Sequence, residues 1–232
     1  MGMLPEWEIE RDEFLERLGC GARDFEKKLC LPKFKKIQHI LPLRNLKNAE
    51  SVVPISSEML FYLVSRLTTL DKQYPFKNSA IQFCKVDPNY LKIGQKFVYR
   101  ENYQNLLEGL PNLLGKFAIA SGIGDLGAYF IFGMDEAETP SLACYLPPII
   151  ENHGSDLVIM DGIHRDYITK QLGCTINAIL IKNVAIPFPC GIKSWEEIKV
   201  IGLAEKPKDI NERYFNLQKE LFRDLKYLGI DG

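Results

Sequence analysis

The chain has 232 residues, is 46% hydrophobic and carries 29 lysines and arginines against 30 aspartates and glutamates, a formal net charge of -1. That length buries a substantial core, while the balanced charge offers none of the basic field on which DNA binding draws, which argues against DNA as a partner. Cys20, Cys30, Cys84, Cys144, Cys174 and Cys190 stand far apart without a C-x-x-C pair, which argues against a zinc ribbon or a disulfide framework and favours buried thiols.

Met1 to Arg11 is acidic with no apolar h-region, and no stretch approaches the ~18 apolar residues of a membrane span. No membrane partner and a cytoplasmic location are therefore expected. Residues 5–75 read as helical: Phe14, Leu15 and Leu18 form a stripe ended by Gly19 and Gly21. Ser57 is placed to cap a helix holding Met59, Leu60, Leu63, Val64 and Leu67. Between them Pro32, Pro42 and Pro54 break the chain, and Lys27, Lys28, Lys33, Lys35, Lys36 and His39 form a local basic cluster. That cluster reads as a solvated face, with an anion-binding or partner surface as the alternative.

From about residue 80 the period changes. Ile81 to Val86, Lys116 to Ala120, Ala128 to Phe132, Leu157 to Met160 and Ile176 to Ile181 all have strand length and composition. After Pro187, Pro189 and Gly191 a polar connector leads to an expected helix from Asn211 to Leu228, with Tyr214, Leu217, Leu221, Leu225 and Leu228 at helical spacing and Gly229 as its stop. These readings give an α/β (α+β) protein: a helical accessory region over 1–78, a mixed-sheet core over 79–190, and an extension over 191–232 whose helix packs on the core.

The chemistry concentrates where the strand Leu157 to Met160 meets Asp161-Gly162-Ile163-His164-Arg165 and a short helix closed by Gly173. A strand that turns through glycine into a helix leaves backbone N–H groups unpaired at the positive end of the helix dipole, where phosphate is the natural occupant. Arg165 offers a planar fork for two oxygens, His164 a donor that can titrate, and Asp161 a carboxylate at the strand's end. Local propensity alone would make Asp161 an N-cap, Gly162 a tight turn and Arg165 a surface charge, but capping does not call for adjacent histidine and arginine.

Two other patterns are weaker. Gly122-Ile123-Gly124-Asp125-Leu126-Gly127 fits G-x-G-x-x-G, yet a strand rather than a helix is expected after it, so the glycines read as a hairpin turn. His164-Arg165-Asp166 matches the opening of the protein-kinase catalytic loop, but Gln171 stands where that loop needs asparagine, and no V-A-I-K or D-F-G sequence completes the set. His39, His153 and His164 form no short ligand pair, so no metal ligands are assigned; a Mg²⁺ carried in on a nucleotide's phosphates would leave little trace in sequence.

The Asp161–Arg165 box resembles the ParB/sulfiredoxin superfamily, which carries a Gly-x-His/Arg-Arg motif between a core strand and the next helix. The nearest form is the Asp-Gly-His-His-Arg of ParB-like free serine kinases, from which Ile163 is the one departure. In sulfiredoxins the position of Ile163 holds the catalytic cysteine, so the resemblance argues against sulfinic acid repair. A second segment is similar to the family's entry into the fold: Phe83 to Pro88, then Leu91, Gln95 and Arg100, then a helix with Tyr103, Leu106, Leu107 and Leu110 on one face. The resemblance covers roughly residues 80–185.

It implies a ParB/sulfiredoxin-like core that binds a nucleotide or another phosphorylated small molecule through Gly162, Ile163, His164 and Arg165, with Gln95 and Arg100 matching the family's Gln…Arg element. In the enzyme reading, a nucleotide-dependent phosphotransferase or hydrolase, Asp161 and His164 are the catalytic candidates. Arg165 and His164 then neutralise phosphate oxygens, the Ile163 and His164 N–H groups cradle them, and Asp161 positions the nucleophile or Mg²⁺. Glu101, Glu151 and Asp166 lie near enough to the motifs to serve as general base. The competing class is a non-catalytic ParB-like nucleotide switch, or a DNA-binding or nuclease-type module, for which no basic helix-turn-helix is evident.

Overall fold

The computed structural model describes residues 8–29, 36–119 and 121–229. In chain order the elements are β1 (Ile9–Glu10), α1 (Arg11–Leu18), α2 (Ala22–Leu29), β2 (His39–Ile40), β3 (Asn48–Pro54), α3 (Ser57–Ser65), β4 (Ala80–Val86), β5 (Leu91–Lys92), β6 (Phe97–Tyr99) and α4 (Arg100–Gly115). Then come β7 (Tyr129–Met134), β8 (Pro140–Tyr145), β9 (Ile149–His153), β10 (Asp156–Asp161), α5 (Ile163–Gln171), β11 (Ile176–Lys182), β12 (Lys199–Ile201) and α6 (Ile210–Arg213). The protein is thus mixed α and β, and it divides into two compact units, whose boundaries differ from the expected cuts near residues 78 and 190. The first takes the chain up to Leu67, Ala128–Leu146 and the end from Asp224; the second takes Thr68–Gly127 and Pro147–Arg223.

In the first unit a sheet runs β1-β2-β8-β7-β3. The expected helical region is therefore interrupted by a strand at Asn48–Pro54, which pairs antiparallel with β7. Local period cannot show this, because the partner lies some eighty residues on. β7 pairs with β8 on its other side rather than with residues 116–120, and Asp135 Oδ1 closes their turn by accepting from the N–H groups of Ala137 and Thr139, both at 2.8 Å. Where β3 bulges between Ala49 and Ser51, a Cβ on Gly133 would lie 1.9 Å from the Asn48 carbonyl oxygen, so only glycine fits. The stripe Phe14, Leu15 and Leu18 is buried as expected, with Phe14 edge-on to Phe25 and stacked on Tyr227. Ser56, one residue before the expected cap, accepts from Met59 N–H at 3.2 Å and starts α3.

In the second unit a mixed sheet runs β4-β11-β9-β10-β5. β10 is parallel to β5 and antiparallel to β9, and β11 is parallel to β9 and antiparallel to β4. Leu91, Ile93, Val98, Ile150, Ile159, Ile163, Ala178, Leu180 and Trp195 form one apolar core. A parallel pair, β6 and β12, leads into α4, which packs on α5.

Two expected elements are absent here. Lys116 to Ala120 is not a strand: α4 continues through Pro111 to Gly115, burying Leu110 and Leu114 but leaving Leu107 exposed, and the chain then turns with Ala118 at φ 58°; Ala120 lies outside the described residues. Nor is Asn211 to Leu228 a helix. α6 covers only Ile210–Arg213, Asn216 takes φ 45°, and the rest is extended chain and short 3₁₀ turns. The apolar spacing is real, but its members are used singly: Tyr214 bridges to Gln95, while Leu225 and Leu228 are buried in the other unit. The glycine-rich run at 122–127 is not a hairpin turn either. It makes a 3₁₀ turn at Ile123–Asp125, held by a Lys85–Asp125 ion pair of 2.6 Å, with Gly124 pressed against the Thr175 carbonyl.

None of the five described cysteines forms a disulfide; Cys144 and Cys190 are buried, Cys174 is exposed, and Cys30 lies outside the described residues. Lys33 and Lys35 of the basic cluster also lie outside them, while Lys27 and Lys36 are exposed. Among the described residues no helix is long and apolar enough to cross a membrane.

Candidate functional site

β10 ends irregularly, its register against β9 slipping between Ile159 and Asp161. Gly162 then takes φ 94°, and a Cβ there would sit 2.9 Å from Pro148. Both its backbone conformation and its surroundings demand glycine. α5 starts immediately. The Arg165 and Asp166 N–H groups donate to the Gly162 carbonyl at 2.9 and 3.1 Å, which leaves the Ile163 and His164 N–H groups without an acceptor among the described residues. The Ile163 side chain is buried in the core, so its contribution to this turn is its backbone.

Arg165 and Asp161 form an ion pair, NH2 to Oδ2 at 3.3 Å, with side chains only 10% and 12% exposed. Arg165 is therefore a buried cation held at the turn by the motif's own aspartate. His164 departs from expectation. Its Nε2 accepts from the Tyr99 N–H at 3.0 Å, and its ring stacks on the Tyr99 ring with centroids 5.7 Å apart. Burial first, then the charges of Arg165 and Lys206, push its pKa down to about 4. A neutral ring whose Nε2 is already an acceptor is not the titrating phosphate donor the motif suggested. It ties the start of α4 to the start of α5, and only its backbone N–H remains for an anion.

The other candidates separate clearly. Gln95 lies near Tyr214 through a backbone bridge and a 3.4 Å contact from its amide to the phenol oxygen. Arg100 stands exposed at the first position of α4, and no hydrogen bond or ion pair joins it to the Asp161–Arg165 turn. Glu101 Oε2 accepts from the Leu203 N–H at 2.7 Å, and hydrogen bonding to its own backbone N–H first, then to that of Leu203, holds its carboxyl below the usual range. Glu151 is fully buried. It takes the Arg223 fork at 2.9 and 2.7 Å, and His153 sits 2.7 Å from the same carboxylate. Neither glutamate is free to act as a base.

Asp166 is different. It is fully buried on the first turn of α5, and neither carboxylate oxygen has a hydrogen-bond partner among the described residues. Burial, reinforced by Asp161 and opposed by Arg165, raises its pKa well above the ordinary aspartate value. Asp161 and His164, the expected catalytic pair, share no hydrogen bond with each other.

Sequence reasoning missed four neighbours. Tyr99 and Tyr214 are buried phenols with raised pKa values, and Tyr214 also feels the charge of Asp161. The Lys206 ammonium lies 5.2 Å from the centre of the Tyr99 ring. Arg213 is braced by main-chain carbonyls, Nε to Pro207 at 2.7 Å and NH2 to Lys208 at 3.1 Å, and its charge acts on both phenols. No local signal marks these four as neighbours of the turn: Lys206 and Arg213 sit in a stretch with no motif, and the spacing of Tyr214 reads only as part of an apolar helical face.

Among the described residues no group of three or more His, Cys, Asp and Glu is arranged to hold a metal ion. The chain matches no protein-family model, no curated protein and no solved structure in the comparisons made.

Proposed function

We propose that this protein binds a phosphorylated small molecule, of which a nucleotide is the leading class, at the Gly162 turn of the second unit. The reading rests chiefly on one observation: the open Ile163 and His164 N–H groups at the start of α5 stand beside the buried Arg165 cation. Helix-terminal amides and a guanidinium together favour an anion with several acceptor oxygens. The short-motif resemblance to ParB-like proteins supports the same ligand and a ParB/sulfiredoxin-like core.

Binding is favoured over chemistry, because Asp161 is engaged by Arg165 and His164 is a neutral acceptor. A phosphotransferase or hydrolase is the second reading, favoured by Asp166, a strongly perturbed carboxyl in the same turn as Asp161. In that reading Asp161 is the residue able to meet a Mg²⁺ that arrives on the nucleotide, and the metal would supply charge neutralisation at the phosphates. Calorimetric titration with inorganic phosphate, ADP, ATP and CTP, followed by product analysis, tests both readings. Binding without turnover supports the module, turnover the enzyme, and no binding of any of them rejects the site.

A further inference from the structure

The first unit holds a cluster of titratable side chains that the Gly162 site does not use. Its centre is His39, which the sequence sets among lysines but whose side chain is only 14% exposed. β1 and β2 pair antiparallel with Glu10 opposite His39, so the two side chains share a face, and Glu10 Oε1 lies 3.5 Å from His39 Nε2. From the turn between β7 and β8, Asp135 Oδ2 lies 3.6 Å from His39 Nδ1, while Oδ1 of the same carboxylate is occupied by the Ala137 and Thr139 N–H groups. Glu8, just ahead of β1, belongs to the same group. Burial raises its carboxyl, the charge of His39 and a hydrogen bond from Asn45 oppose the rise, and Asp135 and Glu10 add to it. Three carboxyl groups thus share one imidazole. Of the cations close by in sequence, Arg11 pairs with Asp12 at 3.0 Å and Lys47 with Glu138 at 3.3 Å. The Leu43–Asn45 turn carries Arg44 beside Asn45, and β8 places the uncharged Ser141 next to His39.

A neutral imidazole has one N–H and one lone pair, so it serves a carboxylate at one nitrogen and turns a lone pair on the other; an imidazolium has a donor for each. His39 Nδ1 is buried and makes no hydrogen bond among the described residues, as expected of a ring with one side unmet. β1 depends on such side-chain ties, because it pairs with β2 through only two residues and is followed by one backbone bond, from the Arg11 N–H to the Gln38 carbonyl at 2.8 Å. We propose that His39 is a proton-operated latch on the amino-terminal strand. Protonated, it clasps Glu10 and Asp135 together and holds β1 on the sheet. Neutral, it releases one of them, and β1 opens locally while β7 and β8 stay paired.

The experiment is amide hydrogen exchange of the whole chain at about pH 6 and pH 8, read by NMR as protection factors, which remove the intrinsic pH dependence of exchange. In wild type the β1 and β2 amides should lose ~10-fold in protection between the two, the worth of one hydrogen bond to a charged group, while the β7 and β8 amides stay within about twofold. His39→Gln, which can donate and accept but carries no charge, should show no such fall. Glu10→Gln, at an exposed side chain that leaves folding intact, should keep its β1 protection at pH 8, because its amide can donate to a neutral ring. Glu8→Gln should keep the wild-type fall, since Glu8 is not one of the clasped groups. Three outcomes overturn the latch: unchanged β1 protection in wild type, an equal loss in β7 and β8, or a fall that survives in His39→Gln. Should His39→Gln fail to fold, Glu10→Gln decides, and a fall equal to that of wild type overturns the latch. A fall abolished in Glu8→Gln assigns the titration to Glu8 and overturns it as well.

Discussion

The second unit holds two arginine–carboxylate pairs of opposite character. At Glu151–Arg223 the geometry is complete: a fully buried carboxylate takes two guanidinium nitrogens, His153 approaches it, and the remaining guanidinium protons go to the Ile186, Pro187 and Leu221 carbonyls. At Asp161–Arg165 the guanidinium meets the carboxylate at 3.3 Å, and next to the pair stands Asp166, whose two oxygens have no hydrogen-bond partner among the described residues. A buried charge is tolerated when every lone pair and proton is used. The first pair meets that condition and reads as a structural tie. Asp166, beside the second pair, does not, and that shortfall, in a turn built around glycine, is the mark expected of a place that waits for a ligand.

The comparison breaks most visibly if Arg223 is removed. Arg223→Ala leaves Glu151 buried opposite His153 alone and should cost ~3–5 kcal/mol in urea unfolding, the range for stranding one member of a buried pair. The double variant Glu151→Gln with Arg223→Met should recover most of that loss. If Arg223→Ala costs under about 1 kcal/mol, the pair behaves like an exposed one and the contrast collapses.

A second break comes from pH. His164 has a folded pKa near 4 against about 6.5 when unfolded. The unfolded chain therefore binds more protons between those values, so this group's stability is full above pH 6.5 and is lost as pH falls towards 4. At about 1.4 kcal/mol for each pH unit between the two values, the loss is on the order of 3 kcal/mol. His164→Gln, which can still accept from the Tyr99 N–H, should flatten that part of the stability–pH curve. An unchanged slope would mean that the ring is open to protons.

Arg165→Ala sharpens the comparison from the ligand side. Phosphate or nucleotide affinity should fall by ~1.5–3 kcal/mol, the worth of a hydrogen bond to a charged group, while stability falls by much less than in Arg223→Ala. The opposite pattern, with stability lost and affinity kept, would make Arg165 a second Arg223.

How much of this was legible follows from how far apart the partners lie. β4, β10 and β11 stand within a residue of the stretches read as strands, because each is a short apolar run between turn signals. The Asp161–Arg165 turn was equally legible, being local. β3 was not, since β7 lies far away in sequence. The carboxy-terminal helix failed because helical spacing there arises from residues divided between two units, with Asn216 at positive φ between them. His164 was assigned correctly to the turn but wrongly as a donor, because its partner, the Tyr99 N–H, is 65 residues away. Lys206 is invisible for the same reason: only folding places it beside Tyr99.

The smallest expected effect is the most diagnostic. Asp166 is fully buried, accepts no hydrogen bond among the described residues, and has a pKa raised chiefly by burial. For a raised carboxyl the sign is opposite to that of His164. Its favourable contribution is complete below the unfolded value near 3.9 and is lost as pH rises through the folded value. Ionisation at neutral pH is therefore a cost to folding, and Asp166→Asn, which keeps the shape and stays neutral, should raise stability by ~1 kcal/mol at pH 7 and by less at pH 4. If the carboxyl is retained for a ligand or a reaction, the same variant should lower nucleotide affinity or turnover while melting higher, the usual trade at a functional site. A variant that is less stable at pH 7 than wild type would show that Asp166 has a partner holding its charge. Asp166 would then be as fully satisfied as Glu151, and the contrast between the two clusters would rest on the open Ile163 and His164 N–H groups alone.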